Sequence, residues 1–393
     1  MSESSPPLQV SDIALFQGEW RILLECASPF RDSRKLAEMV RSGDGPRLLA
    51  LAEEHGVVGH LAAALCELDG SILPPGTKQA LLERQRAQVF FSLRITAELF
   101  RILDRFVSEG IAALVVKGPV LSVRAYSDPA MRSYGDLDLL VRERDIRRAT
   151  ELMIAAGYEA KVSLKAIDAG KIPGQYLFHK PDSNLIVELH NDYTLRYFPR
   201  RLPLEKFFAR QIRVPLDARE APALSVEDEL VLICIHGAKH LWERLLWIAD
   251  VAALVSPPSG IDWERAAESA KEVGAERILH TGLHLAADLL KASPPDHVFA
   301  TIKSDRVAAR LARQIEKWLP AAGYATPGLF ERAVFRLRMR GSLLAAPAYL
   351  LRLSLSPTED DWEEDGEISQ HRFLDAVRRP FRLARKYGRG GHP

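Results

Sequence analysis

Asp136-Leu137-Asp138-Leu139-Leu140-Val141 is the stretch from which the fold of this chain is read. Side chains alternate along a strand, so Asp136 and Asp138 point to one face. Their carboxylates are then close enough to grip the same hard cations, with oxygen ligands of the kind magnesium prefers. Leu137, Leu139 and Leu140 are expected on the opposite face, where they tie the strand into a core.

The neighbouring residues extend this strand into a small mixed sheet. Ile111 to Val116 is a short β-type run, followed by Lys117-Gly118 and a helix from about Pro119, where proline suits a first turn. Asp145 caps a helix through Ile154, which Gly157 ends. Tyr176 to His179 and Leu185 to His190 flank the turn Pro181-Asp182-Ser183-Asn184, a hairpin signal. Alternation puts Glu188 and His190 on one face, opposite Val187 and Leu189, so Glu188 is the candidate for a third carboxylate. Gly118 opens a helix where backbone N–H groups can face a phosphate, and Lys117 can add a point charge. Arg124, Arg132 and Ser133 precede the aspartates; Arg132, four residues before Asp136, is favoured for a triphosphate.

On either side the apolar period becomes helical, as in Val89-Phe90-Leu93-Ile95-Leu99-Ile102. The chain divides into a helical segment over residues 1–110, a core over 111–215, a second helical segment over 216–356, and an acidic linker with a basic tail over 357–393. The fold class is α+β. The second helical segment starts near Ser225, where Ser225 and Asp228 resemble a capping box. Its first helix carries His236 and His240 on one face. A zinc pair would need a glutamate where Gly237 stands. Two readings are left: Lys239, His240 or Arg244 reaches back to a nucleotide or acceptor, or the histidines pack between helices.

Composition narrows the classes further. At 393 residues the chain is too long for one ordinary domain, and a net charge of +1 gives no global field to recruit nucleic acid or membrane. Cys26, Cys66 and Cys234 sit apart in apolar surroundings and read as reduced core residues. Met1 to Pro7 has no secretory pattern, and no apolar run approaches a membrane span, so the cytoplasm is the expected location. A Walker A sequence, the mark of a P-loop kinase, does not occur.

Lys117-Gly118, Tyr126, Asp128-Pro129, Arg132, Asp136 to Val141, Gly157-Tyr158, Glu188-Leu189-His190, His236 to Trp242 and Trp247-Ile248-Ala249-Asp250 together resemble the polymerase-beta-like nucleotidyltransferase superfamily. They are most similar to a large, mostly uncharacterised bacterial nucleotidyltransferase family. The resemblance implies transfer of a nucleoside monophosphate from a nucleoside triphosphate such as ATP to a hydroxyl or phosphate acceptor on a peptide, protein or small molecule. Magnesium, or manganese, is the implied cofactor. Asp136, Asp138 and Glu188 map to the catalytic metal ligands, while Lys117, Gly118, Arg132, Ser133, Lys239 and His240 are the nucleotide-site candidates by position and charge. One departure is the Lys117-Gly118-Pro119 loop, where a Gly-Ser or Gly-Gly pair is usual. Two other classes remain open. One is an inactive, antitoxin-like regulatory protein with the same fold; the other is a peripheral membrane or scaffold protein acting through the basic tail.

Overall fold

The computed structural model describes residues 17–69, 72–169, 174–192, 201–257, 260–321 and 328–340. The acidic linker and basic tail lie outside these residues. Five helices come first: α1 (Gln17–Ala27), α2 (Ser33–Val40), α3 (Gly45–Glu54), α4 (Val58–Cys66) and α5 (Thr77–Ser108). The sheet-bearing part follows as β1 (Ala113–Val116), α6 (Gly118–Tyr126), β2 (Asp136–Val141), α7 (Ile146–Ala155), β3 (Glu159–Ala160), α8 (Leu164–Asp168), β4 (Gln175–Lys180) and β5 (Leu185–His190). Then come α9 (Leu204–Ala209), β6 (Ile212–Leu216) and β7 (Arg219–Ala223). The remaining helices are α10 (Val226–Lys239), α11 (Leu245–Val255), α12 (Trp263–Val273), α13 (Glu276–Leu290), α14 (Asp296–Ser304), α15 (Arg306–Trp318) and α16 (Leu329–Arg338). No helix of the described residues is long and apolar enough to cross a membrane.

The architecture is α+β, with one mixed sheet between helical segments in the order β3-β4-β5-β2-β1-β7-β6. β2 is central, antiparallel to β1 and parallel to β5. One face of the sheet, with Val115, Leu137, Leu139, Val141, Val187 and Leu189, packs on Ile95, Leu99 and Phe106 of α5 and on Ile146 and Met153 of α7. The other face, with Leu114, Val116 and Leu140, belongs to the core that continues into α10 and α11. Leu140 therefore shares the face of Asp136 and Asp138, not the opposite one. Period-2 alternation requires this, and only Leu137, Leu139 and Val141 back the carboxylates.

The β6–β7 hairpin is a strand pair that the sequence reading did not place. It turns at Asp217 (φ 55°) and adds to the sheet through Val115 opposite Ala223. Pro215 and Pro222 inside the two strands remove ladder donors and erase the usual strand signal, a loss best tolerated toward an edge. β6 runs through residue 215, so the sheet continues past the end assigned to the core from sequence.

Three local expectations change. Cys26 and Cys234 are buried, and burial pushes the Cys26 thiol up to about 12, but Cys66 is exposed. Asp145 occupies the N-cap position of α7 without a side-chain cap bond. Ser225 caps α10 by accepting from the Asp228 amide at 3.2 Å, yet the Asp228 carboxylate does not close a box. It is held instead by Arg210 at 2.8 Å and by the Ser269 hydroxyl at 2.7 Å. A guanidinium offers a charged, forked partner that the lone N-cap amide cannot match.

The N-terminal helices are fastened to α11 through His55. Its Nδ1 accepts from the Leu245 amide at 3.3 Å, and its carbonyl accepts from the Leu246 amide at 3.1 Å. Burial, assisted by Arg244, pushes His55 down to about 4, and burial, assisted by Arg132 and Arg31, does the same to His60. Their ordinary value is 6.5, so the unfolded chain takes up these protons first as pH falls. Stability contributed by the neutral rings is complete above pH 6.5 and declines between there and 4, by about 3 kcal/mol per histidine. Thermal denaturation is expected to show a melting temperature that falls through this window. His60→Phe should flatten part of the slope, and an unchanged slope in that variant would contradict the assignment.

Candidate active site

The end of β1 sets the first element of the site. Lys117 adopts φ 61° and ψ −143°, a region a side-chain-bearing residue rarely enters, and Gly118 follows at φ 53°. This pair of left-handed residues swings the chain off the strand into α6. It also brings the Lys117 ammonium to 2.8 Å from Asp138 Oδ2 and 3.4 Å from His236 Nδ1.

β2 and β5 supply the acidic wall. In their parallel register Asp138 stands beside Glu188, and Leu140 beside His190. His190 Nε2 lies 2.7 Å from Asp138 Oδ1 and 3.3 Å from Glu188 Oε2. The Gln175 amide of β4 donates to Glu188 Oε2 at 2.8 Å and fixes its rotamer. One donor atom each from Asp138, Glu188 and His190 falls within 4.8 Å of the others. Asp136 lies beside them on the same face, half-buried and toward the open cavity.

Electrostatics separates these groups. Burial raises the Asp138 carboxyl, but the Lys117 ammonium and the hydrogen-bonded His190 outweigh it and hold Asp138 well below the usual carboxylate range. Burial and the like charge of Asp138 push Asp136 up. His190 is pulled down by burial, yet its bonds to Asp138 and Glu188 leave it raised. Asp136 and Asp138, pushed in opposite directions within one cleft, are what a site built to take a cation shows.

The opposite wall comes from the end of α10 and the start of α11. Leu241 and Trp242 both have positive φ, 57° and 56°, and reverse the chain between the helices. The Trp242 indole is fully buried, and a Cβ at Gly237 would lie 2.5 Å from its ring. Glycine at 237 is thus required by packing, which explains the His236-Gly237 pair without recourse to zinc. The turn presents Lys239, His240 and Arg244 to the sheet, with Trp247 packed against both histidine rings at 5.2 and 5.3 Å. Burial, then Lys239 and Lys117, push His240 down to about 3 and leave it neutral.

These walls enclose a cavity of about 560 Å³, within the range of small-molecule sites. Asp136, Asp138, Glu188, Lys117, Gly118, Arg132, Ser133, Lys239 and His240 all line it. His190 joins the acidic group as a further donor atom, and its shared parity with Glu188 is the sequence signal for it. Glu54 from α3 and Gln175 also line the cavity, and no sequence signal pointed to either.

Arg132 is held differently from a free phosphate-binding arginine. Its Nε donates to Asp250 Oδ2 at 2.9 Å, and the Tyr126 hydroxyl donates to Asp250 Oδ1 at 3.0 Å. Arg124 lies away from the cavity, bonded to Glu229 and, at 2.9 Å, to the Leu224 carbonyl.

A family model described as an uncharacterised nucleotidyltransferase matches residues 41–291, well over half of the chain. The matched stretch contains every strand of the sheet and every residue named on the cavity walls. No curated protein matches the chain.

Proposed function

Because the chain belongs to this uncharacterised nucleotidyltransferase family, we propose that it transfers a nucleoside monophosphate from a nucleoside triphosphate, ATP among them, to an acceptor hydroxyl or phosphate. The acceptor is carried on a peptide, protein or small molecule, and the reaction takes place in the cytoplasm. Membership of the polymerase-beta-like superfamily is supported by the parallel β2–β5 pair with Asp138 registered beside Glu188.

The single observation that carries this reading is the convergence of Asp138, Glu188 and His190 opposite a cationic wall. Two carboxylates and an imidazole suit a divalent cation, and carboxylate-rich sites favour magnesium or manganese. Asp138, Glu188 and His190 would hold it, with Asp136 contributing from the cavity side. When bound, such a cation neutralises phosphate charge and polarises the reacting phosphoryl group. The chain's own residues supply the rest. Lys117, Lys239 and Arg244 set positive charge around the triphosphate, and Gly118 at the start of α6 lines the same space without a Cβ. Neutral His240 offers a hydrogen bond without adding charge. Gln175 keeps Glu188 from turning away.

The test is equilibrium binding of each radiolabelled nucleoside triphosphate with magnesium, with manganese and with neither. Binding is expected to require the cation and to weaken at least tenfold in Asp136→Ala/Asp138→Ala. Cation-independent binding that survives the double substitution defeats the reading.

A further inference from the structure

A second cavity of about 540 Å³ shares no lining residue with the first. The C-terminal ends of α1, α6 and α11 border it, together with His60 of α4. Its described lining holds two arginines, Arg31 and Arg124, and no carboxylate. A guanidinium has five N–H donors. Among the described residues Arg31 engages only Glu67, and Arg124 only Glu229 and the Leu224 carbonyl, so donors remain on both. Each arginine is balanced by its glutamate, which favours a ligand of single rather than double negative charge. Met131, Val226 and Leu254 give the cavity an apolar side.

His60 is the second, independent observation. It is 5% exposed, and neither ring nitrogen has a hydrogen-bond partner among the described residues. Its ring meets Tyr126 edge-on at 4.8 Å. Buried polar atoms are nearly always paired, and both nitrogens of this ring are themselves shielded from solvent, so a ligand's polar group reaches the imidazole only by shifting the side chains that cover it, such as the Tyr126 ring.

The two cavities are linked by one loop and a chain of hydrogen bonds. Met131 lines the second and its neighbour Arg132 lines the first. Tyr126, on the second, donates to Asp250, which in turn holds Arg132 at 2.9 Å. The loop between them has little freedom. Ser122 Oγ donates to the Asp128 carbonyl at 2.6 Å and accepts from the Arg132 amide at 3.1 Å, and Gly59 packs directly beneath the Met131 carbonyl.

We propose that this cavity is a binding site for a small monoanionic organic acid with an apolar or aromatic body, and that its occupancy changes nucleotide affinity by moving Arg132. A ligand that displaces Tyr126 or Met131 displaces the Asp250–Arg132 pair with it, and linkage makes the effect reciprocal.

The probe is 4-fluorobenzoate, titrated into the full-length protein and followed by fluorine NMR. Saturable binding is expected in the wild type and in Asp138→Asn. It should weaken at least tenfold in Ala63→Trp, which fills the cavity, and in Arg31→Ala, which removes an exposed ion pair and leaves the core intact. Absence of saturable binding, or equal binding in Arg31→Ala and a folded Ala63→Trp, overturns the site. A second arm rests on the proposed nucleotide site. Saturating probe is expected to change the affinity for magnesium–ATP at least threefold in wild type and not in Ala63→Trp. Unchanged affinity overturns the coupling, whereas failure of nucleotide to bind at all counts against the nucleotidyltransferase reading and leaves the first arm standing.

Discussion

Asp138→Asn is expected to reduce nucleotidyl transfer by on the order of 10³-fold, the scale seen when one charge-stabilising group is removed from a preorganised site. Asparagine has the same shape, so the β2 strand and its Leu137 and Leu139 packing stay in place. What changes is charge. Asp138 is 3% exposed and is the carboxylate that both Lys117 and His190 contact. Without it the remaining acidic donors are Glu188 and the more open Asp136. Lys117, only 7% exposed, then loses the carboxylate 2.8 Å from its ammonium, and stability should drop by about 3 kcal/mol. Transfer measured at saturating nucleotide and magnesium, with circular dichroism as the check on folding, tests both parts. Activity within tenfold of wild type would remove Asp138 from the reacting centre.

The route from sequence to this site was short where local periodicity carries the information. Asp136 with Asp138, and Glu188 with His190, are each two apart, and alternation alone fixes each pair to one face. The parallel register that sets the two pairs side by side is a long-range fact, although the two strands could be recognised separately. The same parity rule puts Leu140, two residues from Asp138, on the acidic face and not behind it. Other features had no local signature. Pro215 and Pro222 concealed β6 and β7, and the exposure of Cys66 depends on which side of α4 faces the core. The Lys117 backbone conformation is invisible to composition, since lysine at φ 61° contradicts its own preference. Arg132 and Asp250 are distant in sequence, and no pattern could pair them before the chain folded.

That pair supports the second large effect. Asp250→Ala is expected to cost about 3–5 kcal/mol, because it leaves the buried Arg132 cation without its counterion. Asp250 is fully buried and Arg132 is 5% exposed, so water cannot take the partner's place. Burial works against the Arg132 charge, and the Asp250 carboxylate more than offsets it. The loss alone does not say whether Arg132 serves the fold or the nucleotide. Removing the whole polar group does. In Tyr126→Phe/Arg132→Met/Asp250→Leu no charge and no hydroxyl is orphaned, and apolar replacement of a buried ion pair is often neutral. Leaving Tyr126 in place would strand its hydroxyl at a cost of about 1–3 kcal/mol, which is why the third substitution is needed. The triple variant should denature within about 1 kcal/mol of wild type, measured by urea unfolding. Its nucleotide affinity, by contrast, should stay at least tenfold weaker if Arg132 serves the nucleotide, because the cavity has then lost a guanidinium from its lining. If stability and affinity both return, Arg132 is a structural arginine and the positive wall consists of Lys117, Lys239 and Arg244. If neither returns, the buried group specifies the packing of α6 against α11, beyond what apolar side chains of similar size can replace.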